Sequence, residues 1–142
     1  MLNPVAFWDA SVLVPLCVDQ APSPQAFRFR GKYQVAVWWA THVEIVSALV
    51  RLLRRQEITA FGYEQAKLQA EGLANLWRVI VPSANVAYDA RALLELYPLR
   101  AADALQLAAA LAWCEGKPHG NVFLTFDKRL REAAGLAGFM LE

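Results

Sequence analysis

The sequence predicts an α/β fold with a central, mainly parallel sheet, and three observations carry that expectation. Short strand-like apolar runs alternate with segments of helical periodicity along the whole chain. One run, Gln34 to Trp39, is rich in valine and tryptophan and reads as a buried strand. The segments between runs are helical, and a parallel strand pair needs a crossover of that kind, so helices cover both faces of the sheet.

Val5 to Trp8 forms the first strand, ended by Asp9, and Ser11 to Val18 continues as a helix before the Ala21-Pro22-Ser23-Pro24 break. Gln25 to Arg30 is a short helix closed by Gly31, followed by the strand from Gln34 to Trp39. Thr41 to Gln56 carries Val43, Val46, Leu49, Val50 and Leu53 at the three-and-four spacing of an amphipathic helix. Thr59 to Asn75 is a second, more polar helix, and Trp77 to Val81 is a strand stopped by Pro82. Ala84 to Tyr97 is a helix stopped by Pro98, and Arg100 to Glu115 is an alanine-rich helix. Asn121 to Thr125 is the fourth strand and Asp127 to Ala134 a closing helix ended by Gly135. Phe139 to Leu141 is a candidate edge strand, which makes the sheet four- to five-stranded.

Length and composition narrow the possibilities further. A chain of 142 residues suits one domain over residues 1–142, and it is long enough to bury about two-thirds of its unfolded surface. The hydrophobic fraction of 57% is high and hints at apolar surface hidden against a partner or a second copy. With 14 basic and 13 acidic residues, the net charge of +1 gives no global signal for nucleic acid, so any such binding rests on local patches. Cys17 and Cys114 lie in apolar helical surroundings and read as reduced, structural thiols, which fits a cytoplasmic location. The apolar stretch from Leu105 to Cys114 is about half of what a membrane span requires, and Asp9 interrupts the N-terminal apolar run, so neither a membrane span nor a secretory signal is expected.

The chemistry is expected from four acids. Asp9 and Asp127 directly follow strands, while Glu44 and Asp103 occupy the first turns of helices running back against the sheet, so all four fall at its carboxyl edge. Each also has an ordinary reading. Thr41-His42-Val43-Glu44 is a capping box, Asp103 favours the helix dipole, and Asp9 and Asp127 are suitable N-caps. Capping explains each position singly but not why four acids share one rim. Two unit charges about 4 Å apart repel by roughly 4 kcal/mol at an effective dielectric near 20, so such a cleft asks for a counter-ion. Mg²⁺ or Mn²⁺ is the expected one, because hard divalent ions prefer carboxylate and water oxygens and promote phosphodiester hydrolysis.

The segments Phe7-Trp8-Asp9-Ala10-Ser11-Val12-Leu13, Thr41-His42-Val43-Glu44-Ile45, Leu99 to Ala108 around Asp103, and Leu124-Thr125-Phe126-Asp127-Lys128-Arg129-Leu130 together resemble the PIN-domain ribonucleases. The likeness is closest to the VapC-type toxins of toxin–antitoxin pairs and runs nearly end to end. It implies a PIN-like three-layer sandwich and a metal-dependent endoribonuclease holding Mg²⁺ or Mn²⁺ on Asp9, Glu44, Asp103 and Asp127. It also implies a homodimer and an antitoxin that blocks the acidic cleft. Ser11 and Thr125 match the hydroxyl positions beside the family's acids and are expected either to orient Asp9 and Asp127 or to serve as capping or turn residues. Gln106 departs from the pattern, where many such toxins carry histidine, and so does Trp38-Trp39; neither departure is expected to touch a predicted ligand.

Basic residues cluster at Arg51, Arg54 and Arg55, and again at Lys128, Arg129 and Arg131; of these Arg51, Arg55, Lys128 and Arg129 are the candidate RNA contacts. Arg28, Arg30 and Lys32 form a looser group, and a tryptophan of the Trp38-Trp39 pair could stack a base, with Trp38 better suited to the core. His42 and His119 show no ligand or triad spacing. A phosphoacceptor receiver is disfavoured by the absence of an adjacent acidic pair near the first strand and of a lysine ending the last strong one. A haloacid-dehalogenase-type phosphatase is disfavoured by serine at position 11. The remaining alternative is a catalytically silent PIN-fold interaction module.

Overall fold

The computed structural model describes residues 2–142. Four strands, β1 (Val5–Trp8), β2 (Gln34–Trp38), β3 (Arg78–Ile80) and β4 (Val122–Leu124), form one sheet in the order β3-β2-β1-β4, and every pairing is parallel. Seven helices connect and cover them: α1 (Ala10–Cys17), α2 (Ser23–Lys32), α3 (Thr41–Arg54), α4 (Ala60–Ala74), α5 (Ala84–Leu96), α6 (Ala101–Trp113) and α7 (Lys128–Ala137).

Alternation along each strand divides the apolar residues between two faces. Ala6, Trp8, Val35, Val37, Val122 and Leu124 pack with α1 to α4, through residues such as Leu13, Phe29, Ile45 and Ala70. Phe7, Ala36, Trp38 and Phe123 face the other way, against α5, α6 and α7, through Leu93, Leu107, Ala108 and Leu130. Two hydrophobic layers on one parallel sheet make the three-layer sandwich expected from the sequence. Alanine fills the α6 face, where Ala104, Ala108, Ala109 and Ala110 have no exposure, so the helix lies close against the strands.

Several boundaries differ from the sequence reading, each for an identifiable reason. Helix α2 begins at Ser23, whose hydroxyl accepts from the Gln20 amide and donates to the Pro15 carbonyl, and it runs through Gly31 instead of stopping there. Helix α7 likewise passes Gly135 and ends at Gly138, which takes φ +113°, a conformation an L side chain resists. The Phe139–Leu141 segment contributes one isolated bridge, Val122 to Met140, so the sheet stays at four strands. Among the described residues no helix is long and apolar enough to cross a membrane, and both cysteines are free and half-buried.

Candidate functional site

Register brings the acids together. Trp8 pairs with Leu124, and the Asp9 amide donates to the Leu124 carbonyl at 2.9 Å, so β1 and β4 end side by side with Asp9 and Thr125 as their next residues. Helix α1 starts immediately after Asp9, and α7 starts immediately after Asp127. Both aspartates are N-caps: Asp9 accepts from the Ser11 amide at 3.4 Å, and Asp127 Oδ1 accepts from the Leu130 amide at 2.8 Å. Helix α3 follows β2 after two residues and carries Glu44 in its first turn, and α6 carries Asp103 in its own.

Asp9, Glu44, Asp103 and Asp127 line one open cleft of about 610 Å³, with Ser11 and Arg51 among its other walls. The acids sense one another. Burial raises Glu44 to a pKa of about 7, helped by the charges of Asp9 and Asp103 and opposed by a hydrogen bond from Gln106. Burial also raises Asp103, with Asp127 and then Asp9 adding repulsion. Asp9, only 6% exposed, is pushed up by burial against the lowering pull of its hydrogen bonds from Ser11 and Thr125. Among the described residues the side-chain ion pairs are Lys32 with Glu142 and Lys67 with Glu64, both away from the cleft. Among the described residues no lysine or arginine forms an ion pair with these acids, and the charge of Arg100 only partly offsets the repulsion at Asp103.

Ser11 and Thr125 lie where the sequence expects them. Ser11 Oγ donates to Asp9 Oδ2 at 2.7 Å and accepts from the Phe126 amide at 2.9 Å. Thr125 Oγ1 donates to the same Oδ2 at 2.9 Å and accepts from the Asp127 amide at 3.0 Å. These two hydroxyls stitch the end of β1 to the Thr125–Asp127 segment, and all of their bonds to Asp9 fall on Oδ2.

Two expectations about Glu44 require correction. The capping box does not form: Ala40 is the N-cap of α3 and provides no side-chain cap. Glu44 instead turns to α6, where Gln106 Nε2 donates to Glu44 Oε1 at 2.9 Å and to Thr41 Oγ1 at 3.1 Å. Gln106 therefore does touch a predicted ligand, and it ties the first turn of α3 to the helix bearing Asp103. It is fully buried with its Oε1 unpartnered, an arrangement costing about 1–3 kcal/mol. The sequence signal for this residue was its place one turn after Asp103, on the same side of the helix.

The other candidates fall as follows. Arg51 stands at the cleft, whereas Arg55 is exposed at the C-cap of α3 and is not among the cleft residues. Lys128 and Arg129 are exposed in the first turn of α7, next to Asp127. Trp38 is core, and Trp39 is 58% exposed just beyond the end of β2.

As a metal site, the donor set fits a hard cation. Asp9, Glu44 and Asp127 each have one carboxylate oxygen held by the bonds above and a second oxygen those bonds leave free. The acids border the cleft without closing on a point; among the described residues no three His, Cys, Asp or Glu side chains form a ready-made metal cluster. Charge relief is therefore the argument for an ion, and it comes from the raised carboxyls and, among the described residues, from the lack of an ion pair to any of the four acids.

The sequence matches the PIN domain family model over residues 6–136. It is 30% identical over 136 residues to ribonuclease VapC45 of Mycobacterium tuberculosis (strain CDC 1551 / Oshkosh), covering 95% of this chain and 92% of that one. Ribonuclease VapC49 of strain H37Rv gives the same identity and coverage. Among solved structures, a toxin–antitoxin complex from Klebsiella pneumoniae superposes with a TM-score of 0.65 at 20% identity, over 87% of this chain and 88% of that one. A protein from Pyrobaculum aerophilum gives 0.65 at 20% identity, over 97% and 89%. The parallel sheet, the acidic carboxyl edge and the end-to-end match agree: the chain belongs to the PIN-domain family.

Proposed function

We propose that this protein is a metal-dependent endoribonuclease and the toxin of a VapBC-type pair, working in the cytoplasm as a single PIN unit. The observation that carries this reading is one open cleft lined by Asp9, Glu44, Asp103 and Asp127 with, among the described residues, no ion pair to any of them. The ribonuclease relatives support RNA as the substrate, and the toxin–antitoxin complex of the same fold supports an antitoxin partner. A homodimer is in keeping with exposed apolar side chains on α5, Tyr88, Leu94 and Leu96.

In this reading Asp9, Glu44, Asp103 and Asp127 hold Mg²⁺ or Mn²⁺. When bound, the ion supplies positive charge against the scissile phosphate and makes a coordinated water more acidic. The protein's own groups do the rest. Ser11 and Thr125 fix Asp9 through Oδ2, Gln106 fixes Glu44 through Oε1, and the Leu130 amide fixes Asp127 through Oδ1. Arg51 on the cleft wall, with Arg55, Lys128 and Arg129 outside it, supplies positive charge for the RNA backbone.

The test is cleavage of RNA by the purified protein with Mg²⁺ or Mn²⁺ and its suppression by a chelator. Asp9→Asn and Asp103→Asn are expected to abolish it; a variant of either kind that cuts as fast as the wild type overturns the assignment.

A further inference from the structure

A second cavity lies on the other side of the strand-end segment that bounds the acidic cleft. Its volume is about 450 Å³, within the range of small-molecule pockets. Its walls are of two kinds. Pro22, Phe29 and Phe126 are apolar or aromatic, and Gln25, Arg28 and Arg131 are polar or cationic. The cations come from different elements, Arg28 from α2 and Arg131 from α7, and only folding brings them to one opening.

Neither arginine is paired with a side-chain carboxylate. Arg28 Nη2 donates to Gln25 Oε1 at 2.7 Å, and Arg131 Nη1 donates to the main-chain oxygen of Glu142 at 2.8 Å. The Glu142 carboxylate, which also borders the cavity, is occupied by Lys32 Nζ at 2.7 Å and by the Tyr33 hydroxyl at 2.9 Å. A guanidinium has five donors in a planar fork, so each arginine keeps donors for a ligand. The Phe29 and Phe126 rings stack at 6.1 Å, forming an aromatic wall.

Position gives the cavity its meaning. Thr125 borders it while its hydroxyl holds Asp9, and Phe126 borders it while Asp127, the next residue, borders the acidic cleft. Consecutive Cα atoms are about 3.8 Å apart, less than the span of one nucleotide. The acidic cleft and the cavity thus share one stretch of wall, and a nucleotide next to a scissile phosphate at the acids is long enough to span it.

We propose that this cavity binds one nucleotide of the RNA strand beside the bond that is cut, with the base against Phe126, its polar edge facing Gln25 and Arg28, and its phosphate facing Arg131. The proposal rests on the ribonuclease reading and adds a source of sequence preference to it. Unstacked bases are read by aromatic stacking and by hydrogen bonds to their edges, and this cavity offers both. A protein segment would be the other kind of occupant, but two guanidinium groups with donors to spare beside an aromatic wall favour a nucleotide.

The test has two arms. In the first, the wild type in EDTA is titrated with each of the four ribonucleoside 5′-monophosphates and followed by NMR chemical shifts. One base is expected to bind tightest and to shift cavity resonances, and Arg28→Ala and Arg131→Ala should each weaken binding about tenfold. In the second, RNA cleavage with Mg²⁺ should show a raised KM and a nearly unchanged kcat in both variants, with a flattened base preference at one position beside the cut. Failure of all four nucleotides to bind, equal binding by wild type and variants, or an unchanged KM and base preference each overturns the proposal. So does loss of antitoxin binding in variants that still bind nucleotides and cleave normally, since that outcome makes the cavity a protein-docking surface. The metal-free arm does not depend on the acids, so a wild type that bound a nucleotide but cut no RNA with Mg²⁺ or Mn²⁺ would overturn the ribonuclease reading and leave the nucleotide result standing.

Discussion

The two halves of the acidic cleft are built differently. On the β1/β4 side, Asp9 and Asp127 sit at strand ends, and hydroxyls and main-chain amides hold them: Ser11, Thr125 and the Leu130 amide. On the α3/α6 side, Glu44 has a single side-chain donor, Gln106, and Asp103 has a main-chain hydrogen bond from Arg100 but, among the described residues, no side-chain donor. The difference follows from backbone geometry. A strand end in register with its neighbour supplies adjacent side chains and free amides, whereas the first turns of two separate helices meet only through what their side chains can bridge. The carboxylates of the first half are held by more hydrogen bonds than those of the second.

The largest effect should come from the β1/β4 half. Asp9→Asn keeps shape and hydrogen-bonding capacity but removes the buried charge on which Ser11 and Thr125 converge. Cleavage is expected to fall at least about 100-fold, the upper range for losing a partner one step removed from the ion. A gel assay on a defined RNA measures it. Ser11→Ala and Thr125→Val should follow, each lowering Mn²⁺ affinity by about 10- to 100-fold in an EPR titration. Thr125→Val should be the more damaging, because Thr125 Oγ1 bonds Asp9 and the Asp127 amide and is only 4% exposed. Equal losses from α3/α6 substitutions would erase the contrast between the halves.

Gln106→Met sharpens the comparison from the other side. Methionine fills similar volume without donors, so Glu44 loses its one side-chain anchor, and Mn²⁺ affinity should fall by about tenfold. The melting temperature should hold or rise, because the variant also removes an unpartnered buried carbonyl oxygen. A drop in melting temperature with unchanged Mn²⁺ affinity would make Gln106 a packing residue only.

This half is also where the sequence was least legible. Strand and helix alternation, the two-faced core and the rim position of all four acids could be read directly, because periodicity and strand ends are local features. Ser11 and Thr125 could be placed beside the acids through the family resemblance. Thr41 and Glu44, by contrast, satisfy a local capping pattern that the fold overrides, since Gln106 from a helix 62 residues away supplies the actual partner of Glu44. Gly31 and Gly135 resemble helix stops, yet neither needs a left-handed backbone; Gly138 does, and the chain turns there. The arrival of Arg28 and Arg131 at one cavity is likewise a product of the tertiary fold and leaves no mark in either segment's own pattern.

The smallest effect concerns stability and pH, and it tests the looseness of the α3/α6 half directly. Glu44 has a folded-state pKa of about 7 against 4.5 for an unperturbed glutamate, so between those values the folded chain holds a proton more tightly than the unfolded one. By linkage, this group makes stability fall as pH rises through that window, the reverse of an ion-paired carboxylate. Asp103 and Asp9, also raised, act in the same direction at their own titrations. Melting temperatures in EDTA should therefore decline from pH 5 to 7.5 more steeply for the wild type than for Glu44→Gln, whose amide carries no charge to repel Asp9 and Asp103. Mn²⁺ should flatten the wild-type decline, because a cation bound to the folded state offsets the same repulsion. Parallel wild-type and Glu44→Gln curves would mean that Glu44 relaxes into solvent, leaving the cleft without the charge strain that gives a divalent ion its reason to bind.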